Sequence, residues 1–382
     1  MKHTQLLLIL FTISIILSCN NKYKYNLDKS TEVKIIKSKS PKYAKGFKID
    51  YYKNYKKITV FNPWNNNKIF WEYFIYYNDT SKLPKNKNSR FYMHIPKKSI
   101  VLSATQIAMF YKLSLNNNIT AIADSLYIYN KDVINLTRQK KIQLVGNVDI
   151  LNQEKVVELN PDIIFTSGWN KINPSLLKLM KLNYNIAFVI DWQEKSLLAR
   201  AEWIKFIAAI YNKENIADSL FSITESKYKL LLSKVKNINT KPSVMQGSYT
   251  ADNWYAAGGN SYIAKVFNDA KADYILKNDT NSGSIPIKFE FFFNKAKNAD
   301  FWFTTENNLV NFNQKIKYFK SVKNNNVYIF TKKINNNGGN DYWETGFTNP
   351  DLILKDIIKI LHPNIFPDYK LTFFTKIHIN KK

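Results

Sequence analysis

The order of apolar and polar positions divides the chain into stretches with different grammar. Between residues 46 and 78, Phe47, Ile49 and Tyr51 alternate with polar neighbours, and Ile58 to Phe61 and Ile69 to Tyr77 are β-branched and aromatic runs. Strands are expected there, with a turn at Asn62-Pro63-Trp64-Asn65 and a loop over 81–89. From Pro96 the pattern changes. Short apolar runs at 99–102, 119–122, 143–146, 162–165 and 187–190 are interleaved with helix-period stretches at 105–113, 152–158 and 174–181. Such alternation predicts a parallel sheet covered on both faces. Helices over 198–211 and 213–236 follow. In the second, Ile216, Leu220, Ile223, Leu230, Leu231 and Val235 predict one apolar stripe along a rod about 35 Å long. After Pro242 the same grammar restarts, with strand-like runs at 243–246, 253–256, 300–303 and 327–330 and helices at 262–268, 289–297 and 352–361. The fold class expected is α/β: two α/β lobes with central, mainly parallel sheets joined by a long rigid helix, plus an N-terminal β extension.

The first residues add an address. Lys2 precedes an almost unbroken apolar run from Leu6 to Leu17, too short to span a bilayer as a helix. It ends Ile16-Leu17-Ser18-Cys19, which resembles the bacterial lipobox. That resemblance implies cleavage before Cys19 and a lipid on its thiol. Cys19 is the sole cysteine, so no intrachain disulfide can form. The expected organisation is a signal peptide over 1–18, a lysine-rich tether over 19–45, the β extension over 46–95, a first lobe over 96–197, connecting helices over 198–237, a second lobe over 241–362 and a tail over 363–382. Asn20-Asn21-Lys22 after the cysteine is not acidic, which favours a periplasm-facing anchor on a bacterial membrane.

The net charge of +27 invites a nucleic-acid reading, but arginine occurs only at Arg90, Arg138 and Arg200, so 56 minus 3 leaves 53 lysines. Bidentate phosphate and guanine contacts favour arginine. Lys, Asn, Ile, Tyr and Phe are abundant together and share A/T-rich codons, so base composition accounts for the charge and no nucleic-acid partner is expected. The charge still suits anionic lipid or an anionic ligand.

Several motifs stand in a telling order. Residues 98–108 read KSIVLSATQIA, 119–123 ITAIA, 144–146 LVG and 151–165 LNQEKVVELNPDIIF. This series resembles the periplasmic binding proteins for iron–siderophore complexes, haem and cobalamin that feed ABC importers. It departs from them at Ala121, where their strand usually carries glycine. Lys288-Phe289-Glu290 leading into Lys297-Asn298-Ala299-Asp300-Phe301-Trp302 is similar to the counterpart in their second lobe, and the likeness runs over about 96–362. Residues 200–206 (RAEWIKF), 258–262 (GGNSY) and 337–344 (NGGNDYWE) resemble a lipoprotein subgroup common in Bacteroidetes.

The resemblance implies a solute-binding component of an importer, not an enzyme, with an iron chelate, haem or corrinoid as small-molecule ligand and ABC permease subunits as partners. It implies a monomer held to the membrane by lipid. A long helix joining the lobes limits hinge motion, so a largely preformed cleft is expected. Ligands of open α/β sheets sit beyond the carboxyl ends of the strands. That rule selects Ser103 and Thr105, Gly168 and Trp169, and the loops after Ala256 and Phe330. The ligand-binding candidates are Ser103, Thr105, Trp169, Trp254, Tyr255, Asn260, Trp343 and Glu344. Aromatic planes suit a macrocycle or a catecholate, and they equally suit plain packing. Gly258-Gly259 and Gly338-Gly339 read as turns shaping the cleft rim.

Glu154 and Glu290 sit near the starts of equivalent helices. Helix-dipole complementation explains such acids, whereas the resemblance implies that they dock onto permease arginines. His94, His362 and His378 follow no metal-ligand spacing, so no resident metal or cofactor is expected and any iron arrives already chelated. No nucleophile elbow or His-Glu-x-x-His occurs. The rival readings are a lipid-anchored enzyme that grips a substrate between the lobes, and a scaffold or surface adhesin that reuses the fold.

Overall fold

A computed structural model of the protein describes residues 34–77, 89–92, 95–305 and 314–377, with the backbone alone at 89–92 and 314. Cys19, His94 and His378 lie outside the described residues. The chain divides into two units, Met1–Ile35 and Ile36–Lys382, and every element named below belongs to the second.

The N-terminal sheet has five strands: β1 (Lys37–Lys39), β2 (Phe47–Tyr51), β3 (Tyr55–Phe61), β4 (Ile69–Tyr76) and β5 (Ser89–Tyr92), in that spatial order. The first three pairings are antiparallel and β4 with β5 is parallel. The alternation in Phe47-Lys48-Ile49 puts Phe47 and Ile49 in the core beside Trp203 and Phe206, while the Asn62–Lys68 turn connects β3 to β4. The tether expected through residue 45 ends earlier. Lys37–Lys39 already pairs with Ile49–Tyr51, and main-chain groups of 42–46 are bonded to buried carboxylates.

The first lobe is built on β6 (Ser99–Val101), β7 (Ile119–Ile122), β8 (Gln143–Leu144), β9 (Ile163–Ser167) and β10 (Ile186–Val189), all parallel in the order β10-β9-β6-β7-β8. Ile100, Ile163, Ile164, Phe165, Ile186 and Ala187 are fully buried, as a sheet covered on both faces requires. Asn side chains cap three of its helices: Asn130 accepts from Asp132 N, Asn152 from Lys155 N and Asn173 from Ser175 N. The helix expected over 198–211 is broken into Leu197–Glu202 and Ile204–Ile210, with Trp203 completely buried at the joint.

The long helix, Glu214–Val235, spans 22 residues, about 33 Å at 1.5 Å per residue. Its buried face is not the expected stripe. Ala217, Phe221, Thr224, Tyr228, Leu231 and Val235 are buried, while Ile216, Ile223 and Leu230 are exposed. The tyrosine is drawn inward because its hydroxyl reaches Asp269 at 3.0 Å.

The second lobe holds two sheets. β11 (Ser243–Gln246), β14 (Asp273–Tyr274), β16 (Phe301–Thr304), β17 (Val327–Ile329) and β18 (Thr375–Ile377) lie in the order β14-β11-β16-β17-β18, parallel but for β18. β12 (Ser248–Thr250), β13 (Asn253–Ala257) and β15 (Ser284–Lys288) form a small antiparallel sheet. The run at 253–256 therefore belongs to an antiparallel sheet, not to the parallel one expected. Nor is 363–377, the described part of the expected tail, free. The fully buried Asp356 carboxylate accepts from Thr372 N, Phe373 N and Phe374 N, Phe373 and Phe374 enter the core, and β18 pairs with β17.

Candidate functional site

Helices between parallel strands run back along the sheet, so their first turns share an edge with the strands' carboxyl ends. On that edge of the first lobe lie Ser103 after β6, Gly168 and Trp169 after β9, and Ile190 to Ser196 after β10. Ser103 and Thr105 are half-buried and share a 2.9 Å hydroxyl–hydroxyl hydrogen bond. Trp169 is 54% exposed. It lies 4.4 Å, ring centre to ring centre, from Trp192, whose indole donates to the Gly168 carbonyl at 3.1 Å, and Trp64 from the N-terminal sheet approaches Trp192 at 5.7 Å. Sequence reasoning missed Trp64 and Trp192. The second was within reach, since it follows the strand that the carboxyl-end rule already singled out.

Beside these aromatics a cleft of 810 Å³ opens among three bodies of chain. The first lobe contributes Ile190 and Gln193–Ser196, the second contributes Gly259–Ser261 with Ala264, Lys265 and Asn268, and the N-terminal region contributes Tyr43–Gly46, less Ala44, with Phe61, Pro63 and Asn67. Asn260 is thus placed in the cleft wall. Gly259 is obligatory there, because a β-carbon would come within 2.3 Å of the Leu276 carbonyl oxygen. A larger hollow of 1100 Å³ lies elsewhere, lined by Tyr76, Asn160–Asp162 and Leu182–Asn185 at the amino ends of the first-lobe strands, the wrong edge for a ligand of such a sheet.

The remaining candidates are distributed differently from expectation. Trp254 is fully buried, stacked on Phe292 at 4.4 Å, with its indole donating to the Gln246 carbonyl. It is a core residue and does not line the cleft. Strand alternation puts its neighbour Tyr255 on the opposite face, 40% exposed. Trp343 is half-buried, edge-on to Phe330 and Tyr342. Glu344 is not open to a ligand. It is buried in the protein, accepts from Tyr129 N at 2.5 Å and Asn130 N at 3.0 Å, and so ties the second lobe to a loop of the first. Burial pushes its carboxyl up to about 7, against the pull of those two donors. The same contact fixes Gly339, whose β-carbon would meet the Ile128 carbonyl oxygen at 2.1 Å. Its partner Gly338 has φ +93.

Two further polar links cross between the lobes. Lys112 donates to the Thr348 carbonyl at 2.5 Å and to Asn349 Oδ1 at 2.9 Å, and burial lowers its ammonium to about 8. Arg200 pairs with Asp191 at 3.1 Å and lies over the rings of Tyr262 and Phe347 at 4.4 and 5.2 Å. Burial raises the Asp191 carboxyl even against that guanidinium.

Glu154 and Glu290 occupy the second position of the helices Gln153–Leu159 and Phe289–Ala296, which lead into β9 and β16 respectively. Both are exposed, and Glu290 lies in a loose 3.5 Å ion pair with Lys315. His362 closes the helix Pro350–Leu361, its ring 3.0 Å from the Ala270 carbonyl oxygen, and burial lowers its pKa. Among the described residues no group of three or more His, Cys, Asp or Glu is placed to hold a metal ion.

Two α/β lobes, a long crossing helix and a cleft at the carboxyl edges of the sheets define the two-lobed solute-binding class. The chain matches the sequence model of the Periplasmic binding protein family over residues 100–333, more than half its length, and belongs to that family. An uncharacterised lipoprotein of Methanocaldococcus jannaschii is 29% identical over 95% of this chain and 91% of its own. Among solved structures, a possible iron-binding periplasmic solute-binding protein from Staphylococcus epidermidis superposes with a TM-score of 0.57 at 18% identity, covering 70% of this chain and 100% of that one. The periplasmic haem-binding protein RhuT from Roseiflexus gives 0.55 at 14% identity, over 70% and 99%. The narrower subgroup likeness rests on the three sequence motifs alone.

Proposed function

We propose that this protein is the solute-binding component of an ABC importer, taking an iron chelate, haem or a cobalamin-like ligand into the interlobe cleft and handing it to a permease without chemical turnover. The observation that carries this reading is the 810 Å³ cleft, within the range of small-molecule sites, bounded by both lobes at their ligand-binding edge. The links made by Glu344, by Lys112 and by Arg200 over the Tyr262 and Phe347 rings hold the lobes close to one arrangement, so the cleft is largely preformed. Ser103, Thr105, Trp169, Tyr255 and Asn260 stay ligand candidates, joined by Trp64 and Trp192.

Delivery falls to Glu154 and Glu290, one per lobe at equivalent helix starts, each presenting an exposed carboxylate to a permease subunit. Cys19 carries the lipid that keeps the protein periplasm-facing on its membrane. Among the described residues no helix is long and apolar enough to cross a bilayer, and lipoprotein relatives suit such an anchor. The test is thermal denaturation of the purified monomer with ferric siderophores, haem and cobalamins. At least one should raise the melting temperature progressively with its free concentration. A melting curve that none of them moves would refute the ligand class.

A further inference from the structure

The N-terminal sheet lies outside the two-lobe plan, yet its chain lines the cleft. The segment entering β2 is held there by two carboxylates, Glu194 near the end of the first lobe and Glu202 at the end of the first connecting helix. Glu202, fully buried, accepts from Lys42 N at 2.9 Å, Tyr43 N at 2.7 Å and Ala44 N at 3.0 Å. Glu194 accepts from Lys45 N at 2.9 and 3.1 Å and from Gly46 N at 2.9 Å, and is steadied by the Trp203 indole at 3.0 Å. Five consecutive main-chain donors are thus fixed to the end of the first lobe and the connecting helix that follows it. Gly46 fits against Trp203 where a β-carbon would come within 2.5 Å of the indole.

The charges around the cavity are unequal. Of its four lysines, Lys265 is paired with Asp269 and Lys277 with Asp273. Lys45 and Lys195 have no carboxylate partner among the described residues. Glu194, the one carboxylate lining the cavity among the described residues, spends its oxygens on the strap and on Trp203. Two lysines without a carboxylate partner among the described residues therefore line the cavity, one from the first lobe and one from the N-terminal strap.

We infer that the N-terminal region is a third wall of the ligand site, and that through Lys45 it selects an anionic cargo. This rests on the solute-binding reading and narrows it. A ligand with several negative charges, such as an iron chelate with doubly charged arms or a macrocycle bearing carboxylates, is attracted by Lys45 and Lys195 together. A neutral chelate of similar size gains nothing from them. The pinned main chain holds Lys45 at the rim without a folding cost on binding.

The experiment measures dissociation constants of the purified full-length protein for four probes: trianionic ferric tricatecholate, haem, neutral ferric trihydroxamate and cyanocobalamin. Lys45→Glu, Lys195→Glu and Lys53→Glu are compared, the last being an exposed lysine at the β2–β3 turn that changes net charge equally. The expected result is preferential binding of an anionic probe, weakened roughly tenfold or more by Lys45→Glu and by Lys195→Glu but hardly by Lys53→Glu, with an affinity that falls as salt is raised. Loss with Lys195→Glu but none with Lys45→Glu would remove the third wall and leave the solute-binding role intact. Equal losses in all three variants would reduce the effect to net charge and overturn the site. Binding of a neutral probe alone would overturn the anionic cargo. Failure of every probe would overturn this inference together with the proposed ligand class.

Discussion

Replacing Glu202 by alanine isolates what holds the N-terminal strap. The substitution leaves Lys42 N, Tyr43 N and Ala44 N without their shared acceptor, while Lys205 keeps Asp218 at 3.4 Å. A hydrogen bond to a charged group contributes about 1.5–3 kcal/mol. The three donors share one carboxylate and can turn to water once released, so their contributions do not add, and about 3 kcal/mol is a reasonable total. At 1.4 kcal/mol per factor of ten, opening of the strap becomes about 100 times more frequent. Native-state hydrogen exchange reads this directly. Amides of residues 42–44 should exchange about 100-fold faster, whereas those of the Glu214–Val235 helix should keep their protection. Glu202→Gln, which retains one acceptor oxygen, should fall between. Unchanged protection at 42–44 in the alanine variant would refute the clamp. A uniform increase across the chain would assign the carboxylate to global stability instead.

Three other outcomes follow from the geometry. Trp254→Ala should destabilise the fold by about 3–5 kcal/mol in urea, as expected for an aromatic removed from a packed core, and any variant that still folds should bind ligand normally. Glu154→Ala with Glu290→Ala should change stability by no more than about 0–1 kcal/mol and leave ligand affinity intact while abolishing uptake in cells; full transport by the double variant would refute docking. Glu344, pushed by burial to about 7 from 4.5, keeps a proton in the folded chain that the unfolded chain has already released, so its contribution to stability falls as pH rises between those values and is flat above. The stability of the native sequence minus that of Glu344→Gln should therefore drop by on the order of 3 kcal/mol between pH 4.5 and 7.5, and an unchanged difference would show that the carboxyl is solvated.

The parallel lobes were legible because their strands are short apolar runs separated by capped helices. Ile163 to Phe165 and Ala187 to Val189 have no polar position to mislead, and Asn173-Pro174 marks a helix start on its own. The small antiparallel sheet was not legible, since Ser284–Lys288 is mostly exposed, contains Pro286 and buries no residue fully. That omission also misplaced Trp254. The long helix was recognised but its face was misjudged. Its buried stripe includes Ala217, Thr224 and Tyr228, while three branched apolar residues point outward, so hydrophobicity alone favoured the wrong side. In the cleft, Asn260 was reachable from a glycine-rich turn. The strap was not, because bonds between Glu202 and residues 42–44 span about 160 positions and leave no local trace.

The deeper reason is the use this chain makes of its acids. Against 56 basic residues it has 29 acidic ones, and in such a background a carboxylate reads as a surface counter-charge. Several of those buried most deeply act otherwise. Glu202 takes three consecutive main-chain donors, Glu194 the next two, Asp356 three near the C-terminal strand and Glu344 two from the opposite lobe. A buried carboxyl is tolerated when its oxygens are fully bonded, and a run of irregular backbone is tolerated when its N–H groups find acceptors. Each acid meets both requirements in one contact. The segments so held (the strap at the cleft, the lobe-to-lobe loop and the C-terminal strand) are all additions to, or junctions between, the two α/β lobes. Hydrophobic pattern builds the lobes, and single carboxylates attach what is joined to them, which is why the first is readable along the chain and the second emerges only in three dimensions.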